Sequence, residues 1–551
     1  MLFSSIASRV AAVFAWPWPA LHAGPDEPLQ PTIEMAHARA HHIFRAINNA
    51  GRQWGSAMNH NGFSFFPAIV PAGTVLYHGS PSEERPATFE WLAFEHEHAE
   101  AFAIDVELVA QDDDGKGGNF HASMKDDSGD QKRLGQSKQK KASANGRWTP
   151  GYIQTYQATK DLKALYLDGM SGGKTTLGTM DLELYVLYGK KNEDYEDDEW
   201  ARAEVICKDI TQWGYDGYIR MEVGFEYIHC DFSKDLDLIS SLRVHDHQGV
   251  ISDSSMITFQ WARAVAENYD GVGADRLRID FSSMLSGLLY PLNITTTDPA
   301  RRDLMRLATA GIPELQRLKV ELERISRQPR RFTVNWQAVT ESIVRRYANR
   351  LAFMASGNIT QAYLIDEFET ASRSHVAVPE PRSSKAPLSQ ELLKEAIERC
   401  VSEPLLPATL KKSQWSREDG LIAAALRVVT QDICTVILQS YNALRAAKFA
   451  EISGKGAASS QHLEKAANRA QQDVRELVAT LGWSQWRQLR PCPHHELMFT
   501  IMWPFGNRED YFNPGCVPIN EIDFSRGSYF RGNFPGGHMP GRRPKPDHEK
   551  D

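Results

Sequence analysis

The chain contains 551 residues, of which 42% are hydrophobic and 24% are charged, and its formal net charge is −8. This composition is typical of a globular protein, and the length exceeds what one compact core accommodates, so we expect two or more domains. The modest net charge gives no strong electrostatic attraction to nucleic acid or to an anionic membrane surface, so neither is expected as a partner.

The first residues have the layout of a secretory signal peptide. A single basic residue, Arg9, precedes an apolar segment over 10–21, and the small residue Ala23 stands before a polar Gly-Pro-Asp sequence. This order predicts export with cleavage after Ala23, and an uncleaved N-terminus is the alternative. No later segment offers about 18 uncharged apolar residues in a row, so we expect no membrane span.

Two further features are typical of an exported protein. The six cysteines fall into three sequence-neighbour pairs: Cys207 with Cys230, Cys400 with Cys434, and Cys492 with Cys516. Disulfides within these pairs are the simplest arrangement, with other connectivities or free buried thiols as alternatives. Asn293-Ile-Thr and Asn358-Ile-Thr would be N-glycosylation acceptors in a secreted chain.

After this leader the sequence predicts a short helical segment at 24–70 and then a strand-rich domain. Apolar residues at helical spacing over 31–50 predict a helix that ends at Gly51. Strands are predicted at 74–78, 91–94, 152–157, 163–168, 184–188, 218–222 and 226–230. Two polar stretches without apolar periodicity, 111–147 and 190–199, predict a disordered loop and a charged connector. Residues 71–245 are therefore interpreted as one α+β domain.

The second half of the chain predicts helices. Six segments repeat apolar residues at a spacing of three to four: 256–269, 313–325, 335–355, 389–401, 419–452 and 460–481. A stretch rich in proline and serine at 374–388 divides a helical region at 255–373 from one at 389–520, which ends in a Cys-closed tail. Residues 521–551 are predicted to be disordered. The fold class is thus α+β, with a mainly α-helical C-terminal region.

A glycine-rich stretch at 166–179 looks at first like a phosphate-binding loop, since it contains Gly-Lys-Thr after an apolar strand. Asp168 stands where that motif requires glycine, and its carboxylate would repel the phosphates that the loop should hold. We therefore predict a glycine-rich surface loop here and no nucleotide triphosphate.

Other familiar catalytic patterns are incomplete in this sequence. Histidines occur in three close pairs: His37 with His41, His96 with His98, and His494 with His495. None has a third and fourth ligand at a familiar spacing, so no metal is predicted. The cysteines look structural, so no cysteine nucleophile is predicted.

The strand-rich domain contains four motifs that together suggest a ligand site. They are "TVLYHGS" at 74–80, "FEWLAFEHEHAEAFA" at 89–103, two strands around a turn at 151–169, and "WGYDGYIRMEVGFEYIHCDF" at 213–232. The first ends a strand on Tyr77, His78 and Gly79, and the last forms a hairpin that carries Glu222 and Glu226.

This order resembles the ADP-ribosyltransferase-like fold, which opens with a strand ending in Tyr-His-Gly-Thr or Tyr-Arg-Gly and closes with a glutamate-bearing hairpin. The resemblance covers roughly residues 71–245. It implies an NAD-dependent ADP-ribosyltransferase or NAD glycohydrolase, which cleaves the nicotinamide–ribose bond through an oxocarbenium-like state. The hairpin of that family supplies the catalytic carboxylate, which here is Glu226, with Glu222 in reserve.

The same resemblance implies the residues that would bind NAD. His78 would hydrogen-bond one ribose, and Gly79 would let the nicotinamide amide approach the backbone. Tyr77 or Trp91 would stack on the nicotinamide ring. For this chemistry, His78 and Glu226 must face one cleft.

The whole chain also resembles a group of secreted fungal proteins of unassigned function, through "WLAFE-x-EHAE", "LYLDGMSGGKTTLGTMD" and "MWPFG". This second resemblance implies an alternative function: a non-catalytic secreted protein that acts as a binding module or as an accessory factor in a biosynthetic (secondary-metabolite) pathway. In that interpretation Tyr77 packs, His78 caps a turn and Gly79 bends the chain.

Overall fold

The computed structural model is an α+β protein in which a large N-terminal sheet precedes a mainly helical C-terminal region, as the sequence predicted. The structure describes residues 29–100, 102–111, 117–118, 145–175, 177–189, 199–222, 224–244, 272, 275–296, 304–377, 386–452, 458–487, 492–499 and 508–518. The predicted signal peptide at 1–23, the connector at 190–198, the helix at 256–269, the tail at 521–551 and most of the polar insertion lie outside the described residues.

Three short helices lead into the sheet. They are α1 (Ile33–Ala38), α2 (Ala40–Asn49) and α3 (Gln53–Met58). The helix predicted over 31–50 is therefore divided at Arg39. The buried guanidinium group of Arg39 donates hydrogen bonds to the carbonyl oxygens of Gly287, Tyr290 and Leu292 and anchors these helices to the chain beyond the sheet.

Thirteen strands and two helices follow within the described residues up to 296. The strands are β1 (Ser64–Val70), β2 (Val75–Ser80), β3 (Glu90–Ala93), β4 (Ile104–Gln111), β5 (Gly117–Gly118), β6 (Asn145–Pro150), β7 (Tyr152–Ala158), β8 (Leu162–Leu167), β9 (Gly217–Met221), β10 (Phe225–His229), β11 (Leu236–Arg243), β12 (Arg278–Ile279) and β13 (Leu285–Ser286). The helices are α4 (His96–Glu100) and α5 (Glu199–Gln212).

The large sheet has the strand order β11-β7-β2-β3-β10-β9-β8-β1-β12, and β13 also pairs with β1. Neighbouring strands are antiparallel except for β8 and β9, which are parallel. The predicted hairpin of β9 and β10 lies near the middle of the sheet, between β3 and β8, so its side chains are buried on both faces. Strands β4, β5 and β6 form a separate small sheet.

Several predicted elements differ in the structure. Residues 184–188 are not a strand but belong to a π-helical turn, Leu182–Leu187, whose alternating apolar residues imitated a strand pattern. The strand β1 escaped prediction because Pro67 lies within it and proline is rare inside a sheet. The sheet therefore begins before residue 71.

Two further differences concern pairing. The strands predicted around a turn at 151–169 are β7 and β8, but they do not pair with each other: β7 pairs with β2 and β11, and β8 pairs with β1 and β9. Residues 145–147, at the end of the insertion predicted to be disordered, lie in β6 and pair with 107–109 of β4.

The glycine-rich loop predicted to lie on the surface is buried instead. Asp168, Ser171 and Lys174 are all less than 10% exposed. The amide of Gly172 donates to the carbonyl oxygen of Met221 at 2.8 Å, so the loop packs against the end of β9. A loop with few side chains can approach a strand end this closely, which explains the glycines without a phosphate.

The helical region contains α6 (Ile312–Ser326), α7 (Trp336–Ala355), α8 (Gln361–Ser372), α9 (Gln390–Ser402), α10 (Leu406–Thr409), α11 (Arg417–Ile452), α12 (Ala458–Leu481) and α13 (Arg508–Phe512), with a hairpin of β14 (Glu496–Phe499) and β15 (Gly515–Pro518). Side-chain caps set several starts: Asn335 accepts from the amide of Ala338, and Ser389 accepts from the amide of Leu392. Five of the six predicted helices are observed close to their predicted bounds.

Helix α11 is the central helix of this region and packs against α2, α9 and α12. Its stretch Arg417–Ala450 is long and apolar enough to cross a membrane, the one such helix in the part of the chain that the structure describes. Its most apolar window is 56% buried inside the protein. A single apolar helix that is mostly buried is typical of the centre of a helical bundle, so it is weak grounds for a membrane span.

The predicted disulfide pairing is confirmed. Cys207 bonds Cys230, Cys400 bonds Cys434, and Cys492 bonds Cys516. The first of these bonds fastens α5 to the residue that follows β10. The second joins α9 to α11, and the third closes the hairpin of β14 and β15.

Candidate functional site

The strand register decides which predicted site residues share a face of the sheet. Tyr77 is paired with Ala93, Ala93 with Glu226, and Glu226 with Arg220. Directly paired residues project from the same face, whereas successive residues of one strand project from opposite faces. We call the face with these four residues the Glu226 face and the other the His78 face.

His78 lies on the opposite face of the sheet from Glu226. Its Nδ1 is 2.8 Å from the carbonyl oxygen of Trp91, and its ring packs against Phe232. Burial lowers the pKa of His78 to about 4, so the imidazole is neutral at pH 7. The expectation that His78 and Glu226 face one cleft is therefore wrong, because the sheet separates the two side chains.

Gly79 is on the Glu226 face, but the chain itself fills the space above it. A Cβ atom at this position would lie 2.1 Å from the carbonyl oxygen of Ala99 and 2.8 Å from the amide nitrogen of Ala103. The glycine therefore lets α4 and the turn after it pack directly on β2. A nicotinamide amide cannot take the place predicted for it at Gly79 while these atoms occupy it.

The two predicted ring-stacking residues, Tyr77 and Trp91, are both half-buried on the Glu226 face. The centroid of the Trp91 ring lies 4.7 Å from that of Trp200 on α5. It also lies 6.0 Å from the guanidinium carbon of Arg220. The structure thus brings an aromatic surface next to the guanidinium group of Arg220.

Glu226 is buried in an ion pair. The Nε atom of Arg220 donates to Oε2 of Glu226 at 2.9 Å, and Nε2 of His98 lies 3.5 Å from Oε1. Burial alone would raise the pKa of Glu226, but the charge of Arg220 and the contact with His98 outweigh it and lower the pKa to about 2. Glu226 is therefore ionised at neutral pH.

Glu226 belongs to a larger group of charged side chains that the sequence analysis did not find. This charged cluster consists of Lys174, Glu183, Glu199, Arg202, Arg220, Glu222 and Glu226, with His98 at its edge. Arg220 contacts Glu183 at 3.2 Å, and Arg202 donates to Glu183 at 2.6 Å. Nζ of Lys174 lies 2.8 Å from Glu199. The cluster ties α5, the π-helical turn and the glycine-rich loop to β9 and β10.

Glu222 is the least well compensated carboxylate of the charged cluster. Burial raises the pKa of Glu222 to about 8, and the nearby Glu226 adds to the rise while Lys174 opposes it. Its Oε1 atom is buried without a hydrogen-bond partner. Glu222 is therefore mostly protonated at pH 7, beside an ionised Glu226.

The protonation state of Glu222 predicts how the free energy of unfolding depends on pH. The folded protein holds the Glu222 proton up to about pH 8, whereas the unfolded chain releases it near its ordinary value of 4.5. The stabilisation is complete below that ordinary value and is lost as the pH rises to about 8. The free energy of unfolding of the wild type, relative to Glu222→Gln, should fall by ~5 kcal/mol across this interval. Urea unfolding at several pH values measures it, and a constant difference would contradict the assignment.

Two features of the described residues outside the charged cluster, the possible metal ligands and one cavity, do not bring a set of catalytic side chains together. Among the residues that the structure describes, no group of three or more His, Cys, Asp and Glu side chains is arranged to hold a metal ion. A cavity of about 630 Å³ lies between the α2–α3 turn, β12 and the start of α7. Two of its charged wall residues, Arg52 and Glu341, pair with each other at 3.2 Å, and no predicted site residue lines the cavity.

Residues 32–254 match the family described as the YPL277C N-terminal domain. The chain is 37% identical over 213 residues to the uncharacterized protein YPL277C of Saccharomyces cerevisiae, which covers 37% of this chain and 42% of that protein. It is 36% identical over 222 residues to the uncharacterized protein YOR389W of the same yeast, which covers 37% of this chain and 33% of that protein. The chain thus matches less than half the length of these relatives. No solved structure matches it.

The segment that matches the YPL277C N-terminal domain contains the whole charged cluster and every predicted site residue. The predicted relationship to fungal proteins of unassigned function is confirmed for this segment, because both relatives are yeast proteins. Their names assign no activity, so the function of this chain has to be argued from its own side chains.

Proposed function

We propose that the protein cleaves the bond between a ribose and a nitrogen base, with the nicotinamide–ribose bond of NAD as the first candidate. One arrangement carries the proposal: Glu226 is ion-paired with Arg220 at 2.9 Å, the neighbouring Glu222 has a buried Oε1 atom without a partner, and the pKa values of the two carboxyl groups are shifted in opposite directions. Glycoside-cleaving enzymes use a pair of neighbouring carboxyl groups, of which one is ionised and the other is protonated. The resemblance of residues 71–245 to the ADP-ribosyltransferase-like fold supports the same reaction.

The residues of the proposed site have separate roles in this reaction. Glu226 stabilises the positive charge that develops on the ribose as the base leaves. Arg220 holds that carboxylate in place through its Oε2 atom. Glu222, as a carboxylic acid, donates a hydrogen bond to the leaving base or to a sugar hydroxyl. Tyr77 and Trp91 provide the aromatic surface on which a planar base stacks.

His78 and Gly79 do not contact the substrate in this proposal. His78 projects from the other face of the sheet. Gly79 acts indirectly, since it allows α4 to pack on β2 and so brings His98 to within 3.5 Å of Glu226. The proposed site is built from the Glu226 face alone.

A non-catalytic secreted binding protein is the second candidate, and the low exposure of the cluster favours it. Glu226 is 5% exposed, Glu222 6% and Arg220 2%. Under this alternative, the charged cluster only fastens α5 and the π-helical turn to the sheet. The protein would then act as a binding module or as an accessory factor in a biosynthetic pathway, without turnover.

Titration calorimetry with NAD and chromatography of the released base distinguish the two candidates. The enzyme proposal predicts that the purified wild-type protein binds NAD and releases nicotinamide with time. A neutral ribonucleoside serves as the second substrate, because its base leaves only with an added proton, which Glu222 would supply. If neither compound is bound or cleaved, the enzyme proposal fails and the second candidate stands.

We also propose that the protein is exported. Three disulfides support an oxidising compartment. Asn293 and Asn358 are both exposed, so a glycosyltransferase could reach them. Protein collected from the medium of a fungal host should lose mass on treatment with an endoglycosidase, and the double variant Asn293→Gln/Asn358→Gln should not. Protein retained in the cell with unmodified asparagines would contradict export.

A further inference from the structure

Two buried polar atoms beside Glu226 lack hydrogen-bond partners. One is Oε1 of Glu222, and the other is Nδ1 of His98. His98 is 3% exposed and Glu222 is 6% exposed, so bulk water does not readily satisfy either atom. A buried polar atom without a partner destabilises the fold, so such atoms need an explanation, of which a catalytic role is one.

The position of His98 resembles that of a histidine oriented by a carboxylate. Its Nε2 atom faces Oε1 of Glu226 at 3.5 Å, and the ionised carboxylate can only accept a hydrogen bond. In its neutral form the imidazole therefore carries its proton on Nε2, which leaves the lone pair on Nδ1. A carboxylate that fixes the tautomer in this way makes the other nitrogen a proton acceptor.

The packing of α4 holds His98 in this place. The helix lies on β2 because Gly79 has no side chain, and Ala99, next to His98, contacts that glycine. The ring of Phe102 lies 6.3 Å from the imidazole and covers part of it. The imidazole is thus held between the helix and the Glu226 face.

We propose that His98 is the general base of the site and that Nδ1 accepts the proton of the nucleophile that attacks the ribose. This inference rests on the cleavage reaction proposed above and adds the acceptor to it. The acceptor is water or another small hydroxyl compound, because these nucleophiles must lose a proton as they attack.

The proton and electron balance of this step is complete. The oxygen of water forms a bond to the anomeric carbon while the bond between that carbon and the base nitrogen breaks. The electron pair of the broken bond stays on the nitrogen. With NAD, this pair neutralises the pyridinium nitrogen, and the water proton moves to Nδ1 of His98 and then to solvent. With a neutral ribonucleoside, Glu222 also donates its proton to the leaving base.

The test compares Glu226→Gln with His98→Gln, using water and azide as nucleophiles. Azide attacks without losing a proton, so it does not need a general base. With water, His98→Gln should release the base about 100-fold to 1,000-fold more slowly than the wild type. Azide should restore most of that rate and yield the ribosyl azide. Azide should not restore Glu226→Gln, which lacks the stabilising charge.

His37→Gln is the matched control, since it makes the same substitution at an exposed histidine outside the proposed site. This variant should keep the wild-type rate, and circular dichroism should show that all three variants are folded. An unchanged rate in His98→Gln, or a loss that azide leaves in place, would overturn the inference. Failure of the wild type to release any base would instead overturn the proposed function.

Discussion

The variant Glu226→Gln is expected to release nicotinamide from NAD about 1,000-fold more slowly than the wild type. The amide keeps the shape of the side chain but removes the negative charge that opposes the developing charge of the ribose. The fold should persist, because Arg220 still pairs with Glu183 and Glu199. The turnover rate at saturating NAD is the quantity to measure, since stabilisation of the transition state acts on the rate more than on binding.

The matched control is Asp237→Asn, which removes one carboxylate from the exposed edge strand β11. This variant should keep the wild-type rate. Equal rates in Glu226→Gln and the wild type would show that the carboxylate has no catalytic role. The charged cluster would then be structural, as the second candidate function requires.

The variant Arg220→Met is expected to lower the free energy of unfolding by about 3–5 kcal/mol, because it breaks a buried ion-pair network from one side. Arg220 is 2% exposed and contacts Glu183, Glu199 and Glu226. Without the guanidinium group, these buried carboxylates lose a shared partner and must either take up protons or destabilise the fold. Urea unfolding at pH 7 measures the change.

Two controls separate this effect from a general loss of charge. Arg327→Met removes an exposed arginine that pairs with Glu323 one helical turn away, and it should change the free energy of unfolding by less than about 0.5 kcal/mol. The double variant Arg220→Met/Glu226→Gln should recover part of the loss, since it removes one of the uncompensated charges. A loss below about 1 kcal/mol in Arg220→Met would mean that the network is not tightly formed.

Local patterns in the sequence predicted much of this fold. The hairpin that carries Glu222 and Glu226, the disulfide pairing and five of the long helices all depend on neighbouring residues, and each is present in the structure. The exceptions were elements whose local pattern misleads. Pro67 hid the strand β1, and the alternation over 182–187 imitated a strand.

The face of each side chain was not predictable in the same way. His78 and Glu226 lie in strands separated by β3, and only the register with Ala93 shows that they project from opposite faces. A shift of one residue would have placed them together. Gly79 posed a similar problem, because a glycine that admits a ligand and one that admits a helix look the same in a sequence.

The charged cluster was missed because its members come from five separate segments. A weak signal did exist: Arg220 and Glu226 stand at equal distances from the centre of a tight hairpin, so an ion pair between them was foreseeable. The partners Glu183 and Lys174 gave no such sign, since Glu183 stood just before a predicted strand and Lys174 in a predicted surface loop. Long-range packing alone brings them beside Arg220.

The central claim is that an ionised Glu226 and a protonated Glu222 form a site that cleaves a ribose–base bond. Its most direct test is the release of nicotinamide from NAD by the purified wild-type protein, followed over time by chromatography. The claim predicts release that saturates with NAD concentration and depends on Glu226. Intact NAD after prolonged incubation, together with an intact neutral ribonucleoside, would contradict it.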